Sequence, residues 1–259
     1  TYATIIKDEA LKNFYSEDKD GPKNAYSGYR GKMTMSKALE ISSNTIPCHI
    51  IKDYLGINNS FDFLTQKLKL KHLNEIDRNL SSLALGGCRY GITTTESAAS
   101  YAIFGNCGKY YEPVTYYKVE RPSGELILDG NRGGEQVIKP ATAAIMNRLL
   151  QNVVYGASGT GRSVAGYSSM KAYAKTGTSS ESNDRWLVGG TPYYVASVWC
   201  GFDKPERVGG SVSAATVWRT VMSAIHKGLE AKELNVSDDV VEEEYCRYSG
   251  LVAGKNCTA

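Results

Sequence analysis

The sequence is poor in the residues that build metal sites and poor in net charge of either sign. Its histidines are His49, His72 and His226, and its cysteines are Cys48, Cys88, Cys107, Cys200, Cys246 and Cys257. No cysteines form a C-x-x-C pair and no histidine stands at a zinc-site spacing, so neither a metal nor another cofactor is expected. Lysine and arginine number 30 against 27 aspartates and glutamates, a formal net charge of +3 without a basic run. That removes the electrostatic footprint of a nucleic-acid binder. The longest nearly apolar stretch, Tyr193 to Phe202, is about half the length of a membrane helix and contains a serine. The chain opens on TYATIIKDEA, with neither a basic n-region nor an apolar h-region, and reads as starting in mid-protein with any leader or anchor expected upstream.

What is present suits one large globular domain or two small ones, because 259 residues with 42% apolar side chains can bury a sizeable core. Residues 1–33 are polar and rich in turn formers and read as an extended crossing over the surface. Thr34 is an N-cap candidate for a short helix ending near Ile41, and Pro47 suits the first position of the next helix, which runs to Gly56. Ser42, Ser43 and Asn44 compete with the backbone for hydrogen bonds and form a tight joint between the two helices. A helix from Ser60 carries Phe61, Leu64 and Leu68, and Thr93 to Glu96 is a capping box. Residues 114–128 read as a hairpin turning at Pro122, Ser123 and Gly124, and Pro140 opens a helix closed by Gly156.

Beyond a glycine-rich SGTGR loop the pattern changes. KAYAKTGTS, RWLVGGTP and YYVASVWCGFD read as successive strands, the last two joined at Thr191 and Pro192. A helix from Ser213 places Trp218, Val221, Met222, Ile225 and Leu229 along one side. The stretch 232–259 reads as a solvated C-terminal extension to a domain over 1–231. Cys246 and Cys257 lie in it, where an exported protein bridges such pairs; six separate thiols are the alternative. The fold class expected is α/β of the α+β type, an antiparallel sheet flanked by helices with a helical subdomain.

Lys175, Thr176, Gly177 and Thr178 end a strand, and each has a separable use. Lys175 supplies a compact positive charge, Thr176 and Thr178 supply hydroxyls for a carboxylate, and Gly177 clears space for an extended peptide on the strand edge. K-T-G alone is commonplace, as is an interhelix S-S-N. Their order and context, with Lys175 lying 133 positions after Ser42, match the S-x-N and K-T-G elements of serine enzymes acting on D-alanyl peptides and β-lactams.

Together with GPKNAYSGYRGKMTMSKALEISSNTIP, LALGGCRYGITTTESAASYAIFGNCGKYYEP, LLQNVVYGASGTGR and YAKTGTSSESNDRWLVGGTPYYVASVWCGFD, these motifs make the chain resemble the transpeptidase domain of class A penicillin-binding proteins, from about Ala3 to His226. The resemblance implies the serine transpeptidase and β-lactamase fold, a peptidoglycan stem peptide as substrate, β-lactams as inhibitors, and a place on the extracytoplasmic face of a bacterial membrane, anchored by an upstream segment. It implies that Ser42 relays a proton, that Asn44 orients the bound peptide beside Ser43, that Lys175 supports the relay, and that Thr176, Gly177 and Thr178 hold the substrate end. The Thr178 N–H would form half of an oxyanion hole.

The family's nucleophile, the serine of an S-x-x-K motif preceding S-x-N, is missing. Ser16 to Lys19 lies among charges, and Ser168 to Lys171 follows S-S-N in the wrong order. The expectation is therefore a chain that begins just after its nucleophile, inactive alone and completed by an N-terminal complement of its own domain. A β-lactamase would also need a deacylating glutamate, for which Glu75 in EIDRN has the spacing but a charged-loop context. A β-lactam sensor that stays acylated is the other alternative.

Overall fold

The computed structural model describes residues 1–130, 133–210, 213–255 and 257. The N-terminal segment is not a surface crossing. It forms Ile5–Asp8 (β1), Leu11–Ser16 (β2), Lys19–Gly21 (β3) and Gly31–Thr34 (β4). β1 pairs antiparallel with β4 and β2 with β3. Alternation along β1 turns Ile6 and Asp8 inward, and because one inward residue is a carboxylate the strand does not look like one in the sequence.

Thr34 caps Met35–Glu40 (α1) by accepting from Lys37 N. The S-S-N joint then leads into Thr45–Ile50 (α2), which continues as a wider π-turn over Ile51–Leu55 to Gly56. α2 begins at Thr45, not at Pro47; within the first turn the proline's missing N–H removes no intrahelical bond. Ile57–Asp62 (α3) starts before Ser60 and Leu80–Leu85 (α4) follows. Thr94–Gly105 (α5) is opened by the Thr93–Glu96 capping box. α3, α4 and α5, with Phe61, Leu68, Leu70, Leu73, Ile103 and Tyr110 at their centre, form a helical subdomain.

Lys109–Tyr110 (β5), Lys118–Glu120 (β6), Leu126–Asp129 (β7) and Glu135–Gln136 (β8) are short, and β6 and β7 make the hairpin expected around Gly124. Pro140–Tyr155 (α6) precedes the main sheet of Tyr173–Thr178 (β9), Arg185–Gly190 (β10) and Val195–Cys200 (β11). Its order is β11-β10-β9, antiparallel throughout, with Thr178 opposite Arg185 and Gly190 opposite Val195. The β10–β11 turn is longer than a Thr191–Pro192 junction, because Thr191 Oγ1 accepts from the N–H groups of Tyr193 and Tyr194 and delays the next strand.

Ala214–Ile225 (α7) covers one face of this sheet, and α5 and α6 cover the other. On the α7 side Trp218, Met222, Leu187, Ala172 and Ala174 are buried together; on the α6 side Tyr173 packs with Leu150 and Leu234. Val221 and Ile225 do not join Trp218, being 48% and 45% exposed. The inward stripe of α7 is Ala214, Ala215, Trp218 and Met222.

The C-terminal stretch is not simply solvated. Leu234 enters the core, Tyr245 bridges to Val252, and the Tyr245 ring meets Tyr2 edge-on with centroids 6.1 Å apart. The expected Cys246–Cys257 bridge is not formed, and both are free thiols. Hydrogen bonds from Ser249, and from Cys257 beside it, bring the Cys246 thiol down to about 7, whereas burial pushes Cys48 up to about 12.

Candidate active site

The site forms where the end of β9 meets the joint after α1. Lys175 shares its strand face with Tyr173, the face that packs against α6, and α1 packs against α6 as well. The geometry brings Lys175 Nζ to 2.6 Å from Ser42 Oγ, with a second bond to Thr176 O at 2.9 Å. Among the described residues this ammonium has no carboxylate partner. Desolvation lowers its pKa to about 8.

Ser42 reaches Lys175 in an unusual backbone state, with φ of +56°. Non-glycine residues enter this left-handed region at a cost, and such strain persists where the surroundings impose it. Here the Ser42 and Ser43 N–H groups are held by Leu39 O and Ala38 O at 3.1 and 2.9 Å.

Ser43 is not brought to the cleft. It is buried, with its hydroxyl 3.1 Å from Thr45 Oγ1 and 3.4 Å from Asn24 Oδ1. Asn44 donates its side-chain amide to Lys23 O at 2.8 Å and its backbone N–H to Asn24 Oδ1 at 2.8 Å. Asn24 in turn donates to Asp8 at 2.9 Å, and Tyr26 OH and Arg30 N reach the same carboxylate at 2.8 Å each, with Thr45 completing the set. Burial of Asp8 favours protonation, but these hydrogen bonds outweigh it and hold the carboxyl below its ordinary range. S-S-N is thus braced by β1 and the GPKN segment. The sequence reading missed Asp8 and Asn24, whose signal was the concentration of polar and turn residues in a segment read as surface.

Thr176 is half-buried and Thr178 exposed at the open edge of β9, with Gly177 between them. A Cβ on Gly177 would lie 3.2 Å from Trp186 Cβ, so the glycine also answers a close approach across the sheet. Thr160, from the SGTGR loop, stands 2.7 Å from Thr176 Oγ1, a neighbour the sequence reading did not single out.

The rejected motifs stay apart from this constellation. Ser16 and Lys19 end and begin the paired strands β2 and β3, and Lys171 lies over the Tyr155 ring at 4.4 Å. Glu75 is held on the surface by Arg78, at 2.8 Å to Nε and 2.9 Å to one terminal nitrogen. Among the described residues no group of three or more histidines, cysteines, aspartates or glutamates converges as a metal site would require.

Residues 4–223 match the family described as the penicillin binding protein transpeptidase domain. The chain belongs to this penicillin-binding protein family. Penicillin-binding protein 1A of Clostridium acetobutylicum is 35% identical over 249 residues, covering 93% of this chain and 30% of the relative. Its counterpart in Clostridium tetani is 33% identical over 262 residues, covering 96% and 33%. The chain therefore spans about a third of the length of the curated relatives it matches. Among solved structures, penicillin-binding protein 1A from Haemophilus influenzae superposes with a TM-score of 0.82 at 22% identity, over 99% of this chain and 44% of that one. PonA1 of Mycobacterium tuberculosis gives 0.71 at 20% identity over 90% and 66%, and has also been solved in complex with penicillin V. The fold is that of penicillin-binding protein transpeptidase domains, as the resemblance implied, with mixed helices and antiparallel sheets.

Proposed function

We propose that this domain, over residues 1–231, takes part in peptidoglycan D,D-transpeptidation and is a target of β-lactams. The observation that carries this reading is the contact between Lys175 Nζ and Ser42 Oγ at 2.6 Å, beside the hydroxyl pair of Thr160 and Thr176. A lysine and a serine at that distance pass a proton without water, and a positive charge flanked by hydroxyls suits a carboxylate-ended peptide.

In this reading a nucleophilic serine attacks the penultimate D-Ala carbonyl of a stem peptide. The terminal D-Ala leaves as the amine, taking a proton that Ser42 relays while Lys175 steadies the charge. An amine of a neighbouring stem then attacks the ester, loses its proton along the same path, and restores the serine. Asn44, its amide nitrogen already held by Lys23, orients the peptide through its side-chain carbonyl. The Thr178 N–H supplies part of the oxyanion hole at the strand end. Such chemistry belongs on the extracytoplasmic face of a bacterial membrane, where the substrate is.

The nucleophile is read as coming from a segment outside these 259 residues, because neither S-x-x-K string stands in the site. Two features suit an N-terminal complement of the domain. β11 has an unpaired outer edge among the described residues, and Val217, Val221 and Ile225 make an exposed apolar stripe on the helix packed against that strand. Glu75, on the surface with Arg78, gives no support to a β-lactamase.

Labelled penicillin tests the reading. The protein carrying the S-x-x-K segment is expected to be acylated and to lose acylation in Lys175→Ala, while the 259-residue chain alone takes no label. A covalent adduct on any serine of the chain alone would overturn the assignment.

A further inference from the structure

The loop over residues 158–162 is tied down more firmly than a connection between a helix and a strand requires. Gly161 N donates to Val153 O at 2.9 Å, and Arg162 turns back to Ala157 O at 3.0 Å. A Cβ at Gly159 would come within 2.3 Å of Val153 O, so only a glycine lets the loop press this closely on the end of α6. The firmest tether comes from another element. Glu40, buried on the last turn of α1, accepts from Ser158 N at 2.6 Å through Oε1, and its backbone oxygen accepts from Thr160 N at 3.3 Å. Its other carboxylate oxygen is taken by Lys37 at 3.1 Å.

The outcome of this tethering is the placement of Thr160. Its side chain is exposed, yet its hydroxyl is held 2.7 Å from Thr176 Oγ1. Glu40 and Ser42 are separated by a single residue. One short helix therefore sets both contacts to β9, Ser42 directly against Lys175 and Thr160 through the loop against Thr176.

Resting on the acyl-transfer reading above, we propose that Thr160 is a further hydroxyl of the subsite that receives the ligand's carboxylate, and that Glu40 is the positioning residue for it. A carboxylate presents about four lone-pair directions and accepts only. Thr176 and Thr178 donate one proton each. In the free site one of the Thr160 and Thr176 hydroxyls donates to the other; when a carboxylate arrives, both turn their protons outward to it beside the Lys175 charge. The ligand class is a free, ionised carboxylate next to the scissile amide, as in a peptide with a D-alanyl terminus or a β-lactam with its ring carboxylate. An ester or amide at that position carries no charge and gains less from the added donor.

The test compares acylation by a labelled penicillin with acylation by its methyl ester, using the protein that carries its nucleophile. Thr160→Val is expected to slow acylation by the free acid about tenfold or more, the scale of one hydrogen bond to a charged group, and to slow acylation by the ester by a clearly smaller factor. Thr160→Ser retains the acid's rate, and Glu40→Gln shows the same acid-selective loss on a smaller scale. Thr160 is exposed, so its variants keep the fold. Equal losses for acid and ester, or no loss in Thr160→Val from a protein that is otherwise acylated, would overturn this proposal alone. A wild-type protein that takes no label sinks the acyl-transfer reading, and this one with it.

Discussion

Lys175 Nζ donates to Ser42 Oγ across 2.6 Å, although they lie 133 positions apart in the chain. Among the described residues no carboxylate holds either partner. The pair is instead fixed from behind, Lys175 by the β9 backbone it shares with buried Tyr173 and Ser42 by a backbone state that its own helix end imposes. An ammonium in this position has lost water without gaining a counter-ion, which makes it a poor structural ion pair and a good proton-transfer partner.

That imbalance sets a pH dependence. Burial lowers Lys175 to about 8 from an ordinary 10.5. Below the folded value the lysine is charged in both states, and the native state carries the full desolvation cost. As pH rises from the folded value towards the unfolded one, the native amine is already neutral while the unfolded chain keeps its proton, so the cost is relieved and this group's contribution to stability increases. Thermal melts of wild type and Lys175→Met across that window are expected to show the difference shifting in favour of wild type with rising pH. A constant difference would mean that Lys175 titrates as it would in water.

The backbone at Ser42 makes a separate prediction. With φ at +56°, its Cβ crowds the following carbonyl, a cost of about 1 kcal/mol or more for an L-residue. Ser42→Gly removes both the hydroxyl and the crowding; Ser42→Ala removes the hydroxyl alone. Both are expected to lose acylation in the nucleophile-bearing protein. In denaturant titration Ser42→Gly should equal or exceed Ser42→Ala in stability by about 1 kcal/mol, after the flexibility of glycine in the unfolded chain is set against the relief. Alanine proving the more stable would show that the serine is unstrained.

Much of this architecture is legible from local patterns. The β9–β10–β11 order, the interhelix joint at Ser42, the Thr93–Glu96 box and the hairpin at Gly124 each rest on residues close in sequence. What escapes a local reading is set by contacts between distant residues. Asp8 meets Thr45 across 37 positions, and Glu40 meets Ser158 N across 118. A polar residue about to be buried by a partner that far away carries the same local signature as one left in water. The C-terminal stretch fails for the same reason: its acidic run predicts solvent, while Leu234 and Tyr245 return to Tyr173 and Tyr2. At the site, the reading found the residues with evident chemistry and missed those that hold them.

The residue that tests this division is Asp8, 1% exposed and surrounded by donors from Asn24, Tyr26, Arg30 and Thr45. Its carboxyl is held below the ordinary 3.8, so its contribution to stability is present above the unfolded value and is lost as pH falls through the folded one. Asp8→Asn keeps the shape but replaces an acceptor oxygen with a donor, leaving at least one buried donor facing another. The expected cost is about 2 kcal/mol, with a flatter acid limb than wild type. Because Asn24 holds both Asp8 and the Asn44 N–H, the same variant should also slow acylation in the nucleophile-bearing protein at temperatures well below its melting point. Asn24→Ala, which leaves Asp8 with its remaining partners, should cost less stability than Asp8→Asn while slowing acylation at least as much. Wild-type acylation in both variants would show that the brace behind S-S-N serves folding alone.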